Sequence, residues 1–125
     1  MNYNPVTKGQ ISQQAAYDYQ RSVTGLYEFE VSGGGTKVWA DGIDGTELID
    51  TKYMTNPASS PYTGTAPDFI NQSTIDEIQR YGKVIADPQT RFTSLRIVTN
   101  DQAGVDYFSN MLDQFGIPGQ VEYRP

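Results

Sequence analysis

The sequence predicts an α/β (α+β) domain with a mixed central sheet flanked by helices, and three observations carry that reading. Apolar residues recur at helical spacing in three separate stretches. Between the first and second of these, apolar and polar residues alternate through consecutive strands broken by glycine turns. A further strand separates the second and third helical stretches and another follows the third, giving the order α, β, β, β, α, β, α, β. A run of strands followed by β-α-β makes a mixed sheet with helices against it.

Residues 1–9 are polar, with Pro5 and Gly9, and read as a lead-in to a single domain over 10–125. From Gln10 to about Val23, Ile11, Ala15, Tyr19 and Val23 fall every four positions and share one helical face, with Gly25 as the stop. "LYEFEVSGGGTKVWAD" alternates at Tyr27, Phe29 and Val31, breaks at Gly33, Gly34 and Gly35, and resumes through Val38, which predicts a hairpin. The turn "DGIDGT" leads into a third strand, Glu47 to Tyr53, so a meander is expected. A long loop rich in Pro, Ser and Thr follows as far as Asn71. From Ser73 a second helix is predicted, with Thr74 and Glu77 as a capping box and Ile75, Ile78 and Ile85 on one side. "TSLRIVTN" gives the fourth strand. "DQAGVDYFSNMLDQF" gives a third helix that turns Val105, Phe108, Met111, Leu112 and Phe115 inward and ends at Gly116. "GQVEYRP" supplies an edge strand.

Composition narrows the chemistry. The 125 residues include no cysteine and no histidine, which excludes disulfides, thiolate zinc sites and an imidazole general base. Catalysis, if present, falls to carboxylates, lysine, tyrosine, amides, hydroxyls or a hard metal ion. The net charge of −6 argues against an evenly basic nucleic-acid binder but leaves room for a local groove. Arg80, Lys83, Arg91 and Arg96 would either form that groove or belong to a balanced surface. No stretch reaches the roughly 18 apolar residues of a membrane span. The start "MNYNPVTKGQ" lacks the layout of a signal peptide, so export would fall to a carrier.

The segment "WADGIDGTELIDTKYM" concentrates Asp41, Asp44, Glu47, Asp50 and Lys52. Strand alternation puts Asp50 and Lys52 on one face and Glu47, Ile49 and Thr51 on the other. If "KVWAD" pairs antiparallel with "ELIDTKY" through "GIDG", Asp41 arrives beside the third strand, and the register decides its distance from Asp50. Two carboxylates and a lysine at a strand end suit metal-assisted phosphodiester hydrolysis, with the backbone carbonyl of Thr51 as a further oxygen donor. Plainer roles stand beside these. Asp41, next to Gly42, suits a turn; Asp44 suits turn chemistry; Glu47 suits a solvated strand; Asp50 and Lys52 suit a surface salt bridge. Trp39 suits stacking on a base, or the core.

Asp41 followed by Asp50-Thr51-Lys52, in an α-β-β-β-α-β order, resembles the PD-(D/E)xK nuclease superfamily. More narrowly, "YDYQRSVTG", "VWADG" and "LIDTKY", with "EIQRYGKVI" and "VTNDQAGVDYF" after them, resemble restriction-endonuclease-fold toxin domains at the C-terminal ends of bacterial polymorphic toxins. The resemblance implies an αβββαβ core. It makes Asp41 and Asp50 the metal-ligand pair, Lys52 the catalytic lysine and Mg²⁺, or Mn²⁺ or Zn²⁺, the cofactor. The family often places an acid on the first helix, whereas Gln20 occupies that position here with only Asp18 acidic nearby. Gln20 would orient a water or phosphate. Gln79 and Arg80 sit where the superfamily adds polar help, Arg80 toward a phosphate, and Tyr53 is expected beside the substrate. The resemblance spans toxins acting on DNA, slightly favoured here, and others acting on transfer RNA. A non-catalytic binding domain on the same fold is the remaining alternative. A cognate immunity protein, and delivery within a larger effector into the target-cell cytoplasm, are also implied.

Overall fold

The computed structural model describes residues 2–5, 14–25, 27–53 and 68–125. The proline-rich connection over 54–67 and the predicted start of the first helix over 10–13 lie outside the described residues. The element order is β1 (Asn2–Pro5), α1 (Gln14–Thr24), β2 (Tyr27–Gly33), β3 (Thr36–Ala40), β4 (Gly42–Asp44), β5 (Glu47–Lys52), α2 (Asp68–Ala86), β6 (Ser94–Thr99), α3 (Gln102–Phe115) and β7 (Gly119–Tyr123). One sheet has the order β1-β2-β3 and the other β4-β5-β6-β7. In the second, β4 and β5 are antiparallel while β5-β6 and β6-β7 are parallel, so the sheet is mixed as expected.

The core lies on the face of this sheet that presents Leu48, Leu95 and Ile97. Ile78, Tyr81 and Val84 of α2 and Phe108, Met111 and Leu112 of α3 pack there. The predicted inward face of α3 holds except at Val105, which is half-buried while Gly104 takes the buried place. Asp101 caps the helix by accepting from the Ala103 N–H at 3.2 Å, and Gly116 ends it at φ 65°. On the opposite face α1 crosses Gly42, where a Cβ would stand 2.8 Å from the Thr24 side chain.

Four expectations are corrected. Asn2–Pro5 of the polar lead-in forms β1, antiparallel to β2. Of "KVWAD" only Asp41 reaches the third strand: β3 pairs with β2, and "GID" is itself strand β4 against β5, with the turn at Gly45 and Thr46. The second helix starts at Asp68, so Thr74 and Glu77 are interior residues and not a capping box. A Gln72-to-Asp76 side-chain hydrogen bond of 2.9 Å braces that extra length. Trp39 is 36% exposed because Val38 and Ala40 take the inward positions of β3.

The β2-β3 hairpin docks onto the end of α2. The Gly34 N–H donates to Asp87 Oδ2 at 3.0 Å, and a Cβ on Gly34 would meet the Lys83 carbonyl oxygen at 2.5 Å. Gly34 also has φ 58°. Gly34→Ala is expected to cost about 2–3 kcal/mol, from left-handed strain plus the displaced helix end. Gly35→Ala shares the positive φ but meets nothing within 4 Å, so it should cost about 1 kcal/mol. Equal losses for the two variants in denaturant unfolding would disprove the docking contact.

Candidate active site

The site is built by the bend at Asp41, between β3 and β4. The Asp41 N–H donates to the Ile49 carbonyl at 3.0 Å. Gly42 pairs with Ile49, so the same register places Asp41 opposite Asp50. In the other sheet Phe29 pairs with Ala40, which places Glu28 opposite Asp41. One bend therefore brings acids from three strands to a common edge. The Asp41 carboxylate is held on this edge, since its Oδ2 accepts from the Thr51 N–H at 2.7 Å and from the Thr51 hydroxyl at 2.9 Å.

Asp50 and Lys52 share a strand face, as period-two alternation requires, and α2 covers that face. The Lys52 Nζ lies 3.1 Å from Asp50 Oδ2 and closer still to Glu77 Oε1. The Asp50 side chain is 3% exposed, so this is a buried ion pair and not the surface salt bridge of the plainer reading. One turn after Glu77, the fully buried Tyr81 donates its hydroxyl to the Trp39 carbonyl at 3.1 Å, two residues before Asp41. A cleft of about 320 Å³ opens onto Gln20, Asp41, Asp50, Thr51, Lys52, Tyr53 and Glu77. The Tyr53 ring rests against Tyr19 with centroids 5.4 Å apart.

Burial drives the electrostatics. It pushes the Asp50 carboxyl well above the ordinary carboxylate range against the pull of Lys52, and Glu77 and Asp41 push the same way. Burial also raises Asp41 against its two hydrogen bonds from Thr51, and its carboxyl is within hydrogen-bonding reach of Asp50. Glu28 is raised by burial and then by the charge of Asp41. Desolvation opposes the charge on Lys52, yet Asp50 and Glu77 outweigh it and hold the ammonium well above its usual range. Carboxylates in excess over one lysine make the cleft electronegative, which suits a cation.

The donor set decides which cation. Asp50 Oδ2 is buried and has no well-formed hydrogen bond beyond its ion-pair contact with Lys52 at 3.1 Å, so a cation here would share the carboxylate with that ammonium. No three acids among the described residues converge tightly enough to cage an ion by themselves. Mg²⁺ and Mn²⁺ fit such an open oxygen site, because Mg²⁺ commonly takes one or two carboxylates and completes its shell with water and phosphate. Zn²⁺ fits poorly without histidine or cysteine.

Gln20, Asp41, Asp50, Thr51, Lys52 and Tyr53 thus meet in one cleft, as the sequence suggested. Gln20 is buried, and its Nε2 lacks a well-formed hydrogen bond although Glu28 is near. Gln79 and Arg80 are placed elsewhere. Gln79 lines a separate groove with Lys83 and Phe115, and Arg80 Nη1 reaches the Lys37 carbonyl at 3.4 Å. The four basic residues do not form one groove: Arg91 stacks on Phe92, and Arg96 lies on the opposite sheet face with Glu47, Asp44 and Glu122. Glu47 is therefore an ion-pair partner and not a solvated residue. Sequence reasoning missed Glu77 and Glu28. Glu77 was assigned to a cap. Glu28 was legible, because a hairpin closed at Gly34 and Gly35 pairs it with Asp41.

No curated protein matches the chain. The model of the family described as restriction endonuclease fold toxin 2 matches residues 15–118, which include all these cleft residues. The three helices, the mixed sheet and that match agree, and the chain belongs to the restriction endonuclease fold toxin 2 family.

Proposed function

We propose that this toxin domain is a metal-dependent endonuclease that hydrolyses phosphodiester bonds, with DNA the favoured substrate. The observation that carries the reading is the meeting of Asp41, Asp50 and Lys52 in one cleft. Asp41 and Asp50 would hold Mg²⁺ or Mn²⁺, with the Thr51 carbonyl as a further donor. The bound ion would lower the pKa of a water and offset charge on the phosphate. Lys52 keeps its proton here, so it acts as a fixed positive charge toward the phosphate rather than as a base. Gln20, whose amide faces Glu28, would offer a donor to a water or phosphate oxygen. Tyr53, at the cleft wall, offers an aromatic face to a base.

Electrostatics supports the metal requirement. A phosphodiester approaching three carboxylates and one ammonium is repelled until a cation offsets them. The preference for DNA rests on the habit of the superfamily, which is an analogy and not a site argument. The toxin role implies delivery as the C-terminal part of a polymorphic effector into a target-cell cytoplasm, and a cognate immunity protein in the producing cell. Among the described residues no helix is long and apolar enough to cross a membrane.

Plasmid DNA and total RNA, including transfer RNA, incubated with Mg²⁺ or Mn²⁺ and with EDTA test the reading. Metal-dependent nicking of DNA is expected. Cleavage confined to RNA would move the substrate, and no cleavage of either polymer would leave the non-catalytic alternative.

A further inference from the structure

The Lys52 ammonium is shared unequally between two carboxylates on different elements. It is in contact with Glu77 from α2, and 3.1 Å from Asp50 on its own strand. Glu77 is nevertheless more open than Asp50, with 28% of its side chain exposed against 3%. A lysine next to one buried carboxylate would be expected to turn wholly to it, whereas here Asp50 Oδ2 has the ammonium at 3.1 Å without a well-formed hydrogen bond and the nearer contact is to Glu77. Tyr81 fixes the origin of this arrangement: one turn along the same helix face, it is fully buried and tied to the Trp39 carbonyl, which sets the height of Glu77 over β5.

We propose that Glu77 is a positioning residue, which shares the Lys52 ammonium with Asp50 and holds it at the mouth of the cleft, so that the lysine does not turn wholly onto the Asp50 carboxylate. The inference rests on the nuclease reading for its consequence, but its structural content stands apart from activity. Glu77 works through Lys52.

Two measurements on the whole chain test it. In the first, Glu77→Gln, Glu77→Asp, Lys52→Ala and the Glu77→Gln/Lys52→Ala double variant are assayed on plasmid DNA and RNA with Mg²⁺. Glu77→Gln is expected to lower kcat about 10–100-fold with KM little changed, and Glu77→Asp is expected to recover part of the loss. In the Lys52→Ala background, Glu77→Gln should add nothing to the residual rate. A wild-type rate in Glu77→Gln, or a full further loss in the Lys52→Ala background, overturns the proposal. In the second, the ¹⁵N signal of the Lys52 ammonium is followed without metal. It should be visible in the wild type and clearly displaced in Glu77→Gln, where the lysine turns onto Asp50, with the backbone spectrum retained. An undisplaced signal in Glu77→Gln overturns the proposal even if the wild type cuts nothing, an outcome that would by itself sink only the nuclease reading.

Discussion

Asp50→Asn is expected to lower cleavage by about 10³-fold or more while raising the melting temperature of the metal-free protein. The loss follows from the role of the carboxylate: it is the deepest acid of the cleft, and an amide neither binds a hard cation well nor carries the charge that offsets it. The gain follows from burial. A carboxylate held well above its ordinary range costs stability at neutral pH, and a neutral isostere removes that cost while Glu77 keeps the Lys52 charge paired. The pH dependence carries the same sign. Asp50 and Asp41 bind protons more tightly folded than unfolded, so their contribution to stability is greatest in acid and declines as pH rises from their ordinary values through the raised folded ones. Asp50→Asn should flatten that decline. Thermal unfolding across pH in EDTA checks it, and a variant less stable than wild type at neutral pH would contradict the electrostatic account.

The second large effect is at Tyr81, which is buried and joins α2 to β3. Tyr81→Ala should cost about 3–5 kcal/mol, a large part of the 5–15 kcal/mol that stabilises a typical domain. Tyr81→Phe keeps the ring in the core and loses only the hydrogen bond to the Trp39 carbonyl, for about 1–2 kcal/mol. Because that carbonyl lies two residues before the Asp41 bend, Tyr81→Phe should still fold and cut more slowly. Denaturant unfolding with parallel cleavage assays separates the two effects. Equal stability of the Ala and Phe variants would show that the ring is not a core element.

Much of this was written in local periodicity. The stripe through Phe108, Met111 and Leu112, the alternation around Val31 and Val38, and the glycine turns each specify their elements without tertiary help. The pairing of Asp50 with Lys52 follows from alternation alone. Misreadings came where tertiary contact overrode local preference. "GID" looks like a turn but adds a short ladder to β5, and Thr74 looks like a cap but lies inside a longer helix. That second error hid Glu77, since a residue assigned to a helix end cannot also face a strand 25 residues earlier. Trp39, open in the sequence between base stacking and the core, stays outward because the smaller Val38 and Ala40 own the inward face of β3. The analogy places Gln79 and Arg80 at the site, but at about 100° per residue Gln79 points to the side of α2 opposite Glu77 and Tyr81, and Arg80 turns away toward Lys37.

The central claim is that the cleft of Asp41, Asp50 and Lys52 cuts nucleic acid with a bound cation. The most direct measurement is the initial rate of plasmid nicking by the wild type and by Lys52→Ala, each with Mg²⁺ and with EDTA. The account predicts nicking by the wild type with Mg²⁺, none with EDTA, and a loss of about 10²–10³-fold in a folded Lys52→Ala variant. Equal rates in wild type and Lys52→Ala, or undiminished nicking in EDTA, would contradict it.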